Sequence, residues 1–377
     1  MCKNILITGG AGFIGSNLAL QLIGLGHNIT VLDNLSPQIH GIEPQYGSPL
    51  YNSIKDKVNF IHGSVTSETD WRKALKGQNV VVHLAAETGT GQSMYEIKNY
   101  VETNISGTAL MLNILANEKQ TVKKVVIASS RSIYGEGKYR LANGEPVYPH
   151  HRSAADMDQG DFEVKYNKEP VFLVPTDEES RIHPSSVYGI TKQNQEQMIM
   201  TVCKSIGIAA VAFRYQNVYG PGQSLKNPYT GILSIFSTQI RNGNNINIFE
   251  DGKESRDFVF IDDVIDATIL GITKEEANNE VFNVGAGVAT DVVTVARHLI
   301  KAYNAKVNLN ITGNYRLGDI RHNYADLSKI STMLGYQPKV FFEEGVERFS
   351  KWVNTQEIQQ DNYASSIEEM KLRGLYK

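Results

Sequence analysis

A glycine-rich segment near the start of the chain, Thr8–Gly15, limits the possible folds more than any other feature. It reads Thr-Gly-Gly-Ala-Gly-Phe-Ile-Gly, follows the apolar run Asn4–Thr8 and opens the amphipathic stretch Ile14–Leu25. Between a strand and a helix, such glycines allow a tight turn and a close approach of the backbone to a pyrophosphate. The free N–H groups at the helix start also favour phosphate. The segment therefore predicts a dinucleotide-binding site; the alternative is an ordinary tight turn.

Strand-like and helical patterns alternate through the first half of the chain. The strand-like runs are rich in Val and Ile and nearly continuous in apolar character, as buried parallel strands are. They are Asn4–Thr8, Ile29–Asp33, Asn59–His62, Val80–Leu84, Lys124–Ser129 and Ala209–Phe213. The helical patterns between them include Ile14–Leu25, Glu96–Asn117 and Val187–Ser205. This alternation predicts an α/β fold with a Rossmann-type, doubly wound parallel sheet.

Changes in this rhythm divide the chain into a larger and a smaller part. We assign residues 1–220 to the dinucleotide-binding domain, interrupted by a Pro-rich, polar insertion at about 135–180. We expect residues 221–355 to form a smaller C-terminal α/β lobe that binds the substrate. Residues 356–377 are a polar tail, which we expect to be a surface helix. The predicted elements of the lobe are Leu233–Asn242, Asn247–Phe249 and Val281–Val284.

Composition argues against several classes of function. Lys and Arg total 37 against 40 for Asp and Glu, a net charge of −3, which argues against nucleic-acid binding by charge alone. The sequence has no run of about 18 apolar residues and no secretory signal pattern, so we expect no membrane span and no export. The two cysteines, Cys2 and Cys203, suit the reducing cytoplasm. The adjacent His150 and His151 lie in a polar loop and predict a solvated pair, so we expect no metal site.

A carboxylate at the end of the second predicted strand indicates which dinucleotide binds. Asp33 follows Gly15 by 18 residues. This is close to the spacing of about 20 residues at which such folds carry an acidic residue. A carboxylate there accepts hydrogen bonds from a ribose 2′-OH and repels a 2′-phosphate. The sequence therefore predicts NAD rather than NADP as the cofactor.

A tyrosine and a lysine four residues apart form the predicted catalytic pair. Tyr188 and Lys192 belong to one helical pattern, so their side chains share a helix face. A free phenol has a pKa of about 10, and a nearby cation lowers this pKa and makes the phenol a better base. Ser129 and Ser130 end the fifth predicted strand, at the edge where α/β folds bind ligands, and Ser130 can hydrogen-bond a substrate oxygen. The alternatives are a solvated helix face for the pair and a strand cap for the serine.

These motifs together resemble those of the extended short-chain dehydrogenase/reductase family of nucleotide-sugar epimerases and dehydratases. The resemblance runs from Lys3 to about Trp352 and rests on a series of motifs in a fixed order. They are Thr8–Gly15, Asp33-Asn34-Leu35, His83-Leu84-Ala85-Ala86, Asn104 with Gly107-Thr108, Ser129-Ser130 with Tyr134-Gly135, Tyr188–Lys192, Arg214-Tyr215-Gln216-Asn217 and Arg256-Asp257-Phe258.

The resemblance implies roles for individual residues. The catalytic trio would be Ser130, Tyr188 and Lys192. The residues that bind NAD would be Gly9, Gly12, Phe13, Ile14, Gly15, Asp33, Asn34, Ser64, Val65, Leu84, Ala85, Ala86, Asn104, Ser129, Tyr215 and Val218. The residues that bind substrate would be Ser130, Asn217, Gly231, Arg256, Arg316 and Asp319. Ser64 is a departure, since the family often has an aspartate there that contacts adenine.

The chemistry of the substrate residues agrees with a nucleotide-diphosphate sugar. Arg256 and Arg316 can hold a diphosphate by forked, charge-assisted hydrogen bonds, and Asp319 can accept from a ribose hydroxyl. We expect the loop Asn227–Gly231 to cover the base. Arg321 follows closely, and by itself we expect it to be a surface charge.

The residues after Ser130 indicate which reaction of the family to expect. Family dehydratases carry Asp-Glu there and use those carboxylates to eliminate water, whereas this chain has Arg131-Ser132-Ile133. A guanidinium does not lose its proton in proteins, so it cannot replace them. The trio alone can oxidise a sugar and reduce it again, which predicts epimerisation at C4 through a 4-keto intermediate. The alternatives are a 4,6-dehydratase with another base, a net NAD-dependent oxidoreductase and an NAD-sensing binding protein.

Four segments resemble the dTDP-L-rhamnose 4-epimerase branch of the family, which interconverts dTDP-L-rhamnose and dTDP-6-deoxy-L-talose. They are Gln92–Tyr95, Tyr134–Gly137, the insertion and Asn227–Gly231. The family commonly forms homodimers by pairing two helices from each chain. The corresponding helices here carry apolar residues beyond those that a sheet-facing stripe needs, which predicts a homodimer. These residues are Ile105, Met111, Met198 and Val202.

Overall fold

A seven-stranded parallel sheet forms the centre of the computed structural model, which describes residues 2–227, 231–361, 363–374, 376 and 377. Its strands are β1 (Asn4–Thr8), β2 (Asn28–Asp33), β3 (Asn59–His62), β4 (Val80–His83), β5 (Lys124–Ser130), β6 (Ala209–Tyr215) and β7 (Glu280–Val284). They lie in the order β7-β6-β5-β4-β1-β2-β3. The order reverses between β1 and β4, and ligands bind at such a reversal in open α/β sheets. The predicted Rossmann-type α/β fold is confirmed.

Helices cover both faces of this sheet. The longer helices of the described part of the chain, including those of the lobe and the tail, are α1 (Phe13–Gly24), α2 (Glu68–Leu75), α3 (Gly107–Asn117), α4 (Val187–Ser205), α5 (Ile232–Arg241), α6 (Ile261–Thr273), α7 (Val292–Tyr303), α8 (Ser328–Leu334), α9 (Phe342–Asn354) and α10 (Tyr363–Leu372). Helices α1 and α6 pack on the face that carries Ile5 and Ile7, while α2, α3 and α4 pack on the face that carries Leu6. Burial on both faces explains why the strands are apolar throughout. No helix among the described residues is long and apolar enough to cross a bilayer.

The remaining elements are short. Short helical segments occupy Pro37–His40, Pro44–Gly47, Pro49–Ile54, Thr90–Ser93, Ile97–Tyr100, Arg131–Tyr134 and Ala154–Asp158. In the lobe, Ser255–Phe260 pairs with Asn217–Tyr219, Ala289–Asp291 and His322–Asn323, and Ile246–Ile248 pairs with Leu309–Ile311. In the insertion, Tyr139–Arg140 pairs with Pro146–Val147 and Phe172–Leu173, and Lys165–Tyr166 pairs with Glu169–Pro170.

Strand β7 corrects one prediction. We placed Val281–Val284 in the smaller lobe, but this strand pairs in parallel with β6 and belongs to the central sheet. Phe282 stands opposite Phe213 in that pairing, and their rings are 6.0 Å apart. Because β6 is apolar and buried, its outer edge needs a strand partner, and the chain returns from the lobe to provide it.

The predicted helix Glu96–Asn117 is confirmed as one unbroken helical run from Ile97 to Asn117, but its middle part is not α-helical. It begins as an α-helical turn, continues as a π-helix at Val101–Ser106 and becomes α3 only at Gly107. The side chain of Asn104, in the π-helical part, is fully buried and bonds to the Glu87 backbone and to Thr191. These tertiary hydrogen bonds fix the wider turn, as is common for π-helices at functional sites. Met111, predicted to be available to a partner chain, is fully buried in the core.

The prediction that Arg321 is a surface charge is wrong, because its side chain is fully buried. Its guanidinium donates to Glu250 and Asp251 of the lobe and to Glu163 of the insertion. Arg152 of the insertion also donates to both carboxylate oxygens of Glu250. The acids come from separate segments that only folding brings together, and they attach the insertion to the lobe.

The polar tail is not simply a surface helix. Ile367 and Met370 of α10 are buried. The tail reaches the lobe, where the ring of Tyr363 stacks on Phe249 at 6.3 Å. It also reaches the larger domain, where the Arg373 guanidinium lies 3.9 Å from the ring centre of Tyr95. The tail therefore bridges both parts of the chain.

A buried ion pair joins α4 to the sheet. Arg214 Nη2 of β6 lies 2.6 Å from Glu196 Oε1 of α4, and both side chains are about 5% exposed. Glu196 also accepts from Ser129, and Arg214 donates to Tyr134. Removing one charge would leave the other buried without a partner, which is costly in a medium of low dielectric constant.

We expect Glu196→Gln to lower the free energy of unfolding by about 3–5 kcal/mol, the usual cost of breaking a buried ion pair. Glu68→Gln is the matched control, because Glu68 pairs with Arg72 at the exposed surface. That change should cost at most about 1 kcal/mol. Urea unfolding followed by circular dichroism measures both values. Equal small losses in the two variants would contradict the importance of the buried pair.

Candidate active site

A cavity of about 960 Å³ opens at the carboxyl ends of the central strands. Of the residues predicted for NAD binding and catalysis, all except Asn104 line it. Asn104 instead supports the backbone of the lining residue Glu87 from behind, through the hydrogen bonds described above. The cavity is large for a single small molecule and suits an extended dinucleotide beside a second ligand.

The glycine loop has the form that a dinucleotide phosphate requires. Gly9 has a φ of +64°, and a Cβ atom there would lie 2.8 Å from the Ala85 backbone nitrogen. A Cβ atom on Gly15 would lie 2.5 Å from the Gly9 carbonyl oxygen. Helix α1 begins after Gly12, and no side chain caps its first N–H groups. These groups therefore face the cavity, ready to bind an anion.

Asp33 lies beside this loop, at the end of β2. One of its carboxylate oxygens accepts from the Ala11 N–H at 2.9 Å, and the other accepts from the Leu35 N–H at 2.8 Å. Asp33 thus holds the glycine loop as well as facing the cavity. The lone pairs that remain can accept from a ribose hydroxyl, so the residues present fit NAD.

His40 is a cavity residue that sequence reasoning missed. Its Nε2 lies 3.8 Å from Asp33 Oδ1, and burial lowers the pKa of its imidazole. It belongs to a stretch of short helical turns, residues 37–54, that lines the cavity beside Asp33. Nothing in the spacing of this Pro- and Gly-rich stretch indicates that it folds over the cofactor site.

Ser64, the departure from the family pattern, also lines the cavity. Its hydroxyl bonds to Thr66, and its backbone N–H donates to the Asp70 carboxylate at 2.9 Å. Asp70 therefore places a carboxylate next to Ser64, although it comes from the first turn of α2 rather than from the predicted position.

The three catalytic candidates meet in the cavity. Ser130 ends β5, and its hydroxyl oxygen accepts from the N–H and the hydroxyl of Ser132 at 3.2 and 2.9 Å. Tyr188 lies in the first turn of α4, whose start is capped by the Ser186 hydroxyl. Burial raises the pKa of the Tyr188 phenol, while a hydrogen bond with Ser130 and the charge of Arg131 lower it. Tyr188 and Ser130 together can therefore take a proton from a substrate hydroxyl and return it.

Lys192 lies one turn further along α4, on the same face. Its ammonium donates to the Ala128 carbonyl at 2.8 Å and to Gln195 Oε1 at 3.0 Å, and burial lowers its pKa to about 7. We expected this lysine to supply the cation that acts on Tyr188. Arg131, a residue to which the sequence assigned no role, also acts on this phenol, because its positive charge opposes the rise in the pKa of Tyr188 that burial causes.

The predicted substrate residues form a charged cluster in the lobe. Asp319 accepts from Arg316 at 2.6 Å and from Arg256 at 3.3 Å, and these two cations lower the pKa of its carboxyl. Asn217 accepts from Arg131 Nε at 2.6 Å. None of these four substrate residues lines the cofactor cavity described above.

Two further predicted residues differ in their surroundings. The Tyr215 hydroxyl bonds to Thr268 at 2.6 Å, so the ring lines the cavity while its polar end is already paired. Gly231 precedes α5 with a φ of +79°. Residues 228–230 lie outside the described part of the chain, and so does most of the predicted loop over the base.

Comparison with known proteins identifies the family. Residues 5–155 and 165–285 match the family described as NAD dependent epimerase/dehydratase family. The chain is 35% identical over 365 residues to a dTDP-L-rhamnose 4-epimerase of Burkholderia thailandensis. The matched region covers 96% of this chain and 97% of that protein.

Solved structures agree. A UDP-glucose 4-epimerase of Thermotoga maritima with UDP-glucose matches with a TM-score of 0.75 at 30% identity, over 93% of this chain and 98% of that one. A UDP-glucuronic acid 4-epimerase of Bacillus cereus with UDP-glucuronic acid and NAD matches with a TM-score of 0.75 at 26% identity, over 93% and 99%. The glycine loop, the trio and these matches agree: the chain is an enzyme of the NAD dependent epimerase/dehydratase family, with NAD as its cofactor.

Proposed function

We propose that this enzyme is a nucleotide-sugar 4-epimerase of the type that interconverts dTDP-L-rhamnose and dTDP-6-deoxy-L-talose. One observation carries the proposal: a complete Ser130, Tyr188 and Lys192 trio lines the cavity, while a guanidinium follows Ser130 where a dehydratase has a carboxylate. A dTDP sugar is favoured by the likeness to the Burkholderia thailandensis protein along nearly the whole chain.

The residues of the chain divide the work of a C4 oxidation and its reversal. The Tyr188 phenol, lined up by Ser130, takes the proton of the 4-hydroxyl and later returns it to the 4-keto oxygen. NAD, when bound, would supply the acceptor for the C4 hydride and the donor that returns it. The glycine loop would hold its pyrophosphate, Asp33 its ribose, and Lys192 the ribose nearer the reacting carbon. Because the lobe holds the diphosphate, the freed 4-keto sugar can turn over about that link and present its other face.

Substrate deuterated at C4 tests this reaction. Wild-type enzyme incubated with a panel of dTDP and UDP sugars should epimerise a dTDP-6-deoxy sugar, and the product should keep the label at C4. NMR and mass spectrometry of the product measure both. Tyr188→Phe should lower turnover at least about 10²–10⁴-fold, because it removes the acid–base group and keeps the ring. Tyr166→Phe, at a half-buried tyrosine of the insertion that does not line the cavity, is the control. Loss of the label to solvent would mean that a proton leaves carbon, and the proposal would fail.

The choice of NAD over NADP should depend on Asp33. We expect the purified protein to contain NAD⁺ or NADH, because the cycle regenerates its cofactor. Asp33→Asn should weaken NAD binding, since one backbone N–H loses its acceptor. It should also reduce the preference for NAD over NADP at least about tenfold, because the repulsion between a buried carboxylate and the 2′-phosphate of NADP is worth a few kcal/mol. The ratio of the two affinities, measured by fluorescence titration after cofactor removal, is decisive. An unchanged ratio would contradict the role of Asp33.

We also propose that the enzyme is a cytoplasmic homodimer. Both cysteines, Cys2 and Cys203, are free thiols, as suits a reducing compartment. Three large apolar side chains are exposed where the start of α4 packs beside the helical run that leads into α3: Ile97, Val101 and Ile190. A partner chain placed on this face, as in the family, would remove them from water.

Light scattering at micromolar concentration should therefore give twice the mass of one chain. Ile190→Glu should shift the protein toward the monomer, because it places a charge in the proposed interface. Ile42→Glu is the control, since Ile42 is also exposed but lies in a different part of the surface. A monomer mass for the wild type would refute the dimer.

A further inference from the structure

We propose that Arg131 binds the phosphate of the substrate that carries the sugar, so that it forms the sugar-side end of the diphosphate site. This inference rests on the proposed function and adds to it a residue that follows the catalytic Ser130 directly. It assigns a binding role to the guanidinium that stands in this chain where a dehydratase has a carboxylate.

The position of Arg131 places it between the catalytic groups and the charged cluster of the lobe. It begins the short helical turn after β5. Its Nε donates to Asn217 Oδ1 at 2.6 Å, and Asn217 begins the strand that pairs with Ser255–Phe260, which carries Arg256. This hydrogen bond fixes the guanidinium plane and leaves the two terminal nitrogens to bind a ligand.

The guanidinium has no negative partner of its own. Among the described residues, no carboxylate lies within 4.0 Å of it. Asp319 already pairs with Arg256 and Arg316, and Asp257 accepts from three backbone N–H groups. The Arg131 side chain is half-buried, and a cation partly removed from water without a counter-charge is costly, so an anion is expected to complete the site.

The charges of the cluster indicate which anion. Burial and then the nearby charge of Arg256 lower the pKa of Arg131 to about 9, which shows that the two cations repel each other. Together with Arg316 they offer three positive charges, against one on Asp319. A diphosphate bonded at both ends carries two negative charges, which would balance the excess. Arg131 is the member beside Tyr188 and Ser130, so the phosphate that it meets is the one joined to the reacting sugar.

Nucleotides with one and two phosphates test this assignment directly. The probes are TMP and TDP, with UMP and UDP in parallel, titrated calorimetrically into the NAD-loaded enzyme. Arg131→Met should weaken TDP or UDP binding about tenfold to hundredfold, the range for a hydrogen bond to a charged group. It should leave binding of the monophosphate within about twofold. Arg297→Met, at an exposed arginine, should change neither value.

Arg131→Lys provides the second test if the methionine variant does not fold. This variant keeps the charge but loses the hydrogen bond to Asn217 and the forked geometry. It should therefore weaken binding of the diphosphate several-fold and leave binding of the monophosphate unchanged. Equal affinities in wild type and variant, or equal losses for mono- and diphosphate, would overturn the assignment of Arg131 alone. Failure of the wild type to bind either nucleoside diphosphate would overturn the proposed function itself.

Discussion

A buried hydrogen-bond network around His83 holds the elements of the active site together. The imidazole lies between the hydroxyls of Thr8 on β1 and Thr108 on α3, at 2.7 and 3.0 Å, and Gln195 of α4 donates to the same Thr108. Burial lowers the pKa of His83 to about 3, so the ring is neutral and needs no counter-charge. Two strands and two helices therefore meet through groups that are polar but uncharged, which avoids the cost of burying an ion.

The position of Lys192, the lysine proposed to be catalytic, follows from this network. Gln195 donates to Thr108 with its nitrogen and accepts from Lys192 with its oxygen, while the Ala128 carbonyl accepts from the same ammonium. The lysine ammonium is thus held by two neutral dipoles. Because its pKa falls to about 7, its charge is easily influenced by what binds beside it. Burial raises the pKa of the Tyr188 phenol, and the hydrogen bond with Ser130 and the positive charge of Arg131 act in the opposite direction.

The parts predictable from sequence are those that short patterns determine. The glycine turn needs residues without Cβ atoms, the inner strands need apolar side chains on both faces, and Tyr188 and Lys192 need only helical spacing. The misses all depend on contacts between distant segments. Strand β7 pairs with β6 after some 65 residues of lobe, a distance that no local pattern reports. The π-helix forms because Asn104 bonds to Glu87 and Thr191. Arg321 is buried because two segments that are distant in the sequence supply its acids.

The two halves of the site also differ in how they treat charge, and this difference suits the reaction. At the glycine loop a bound dinucleotide would meet uncapped backbone N–H groups and the carboxylate of Asp33, and the His83 network beneath this part of the sheet is neutral. On the substrate side, arginines exceed acids around Asp319. Strong binding at the diphosphate and weak polar contact at the sugar would let the ring turn while the nucleotide stays in place. An enzyme that must present both faces of one carbon to the same cofactor needs this asymmetry, because a firmly held sugar could be oxidised but not inverted.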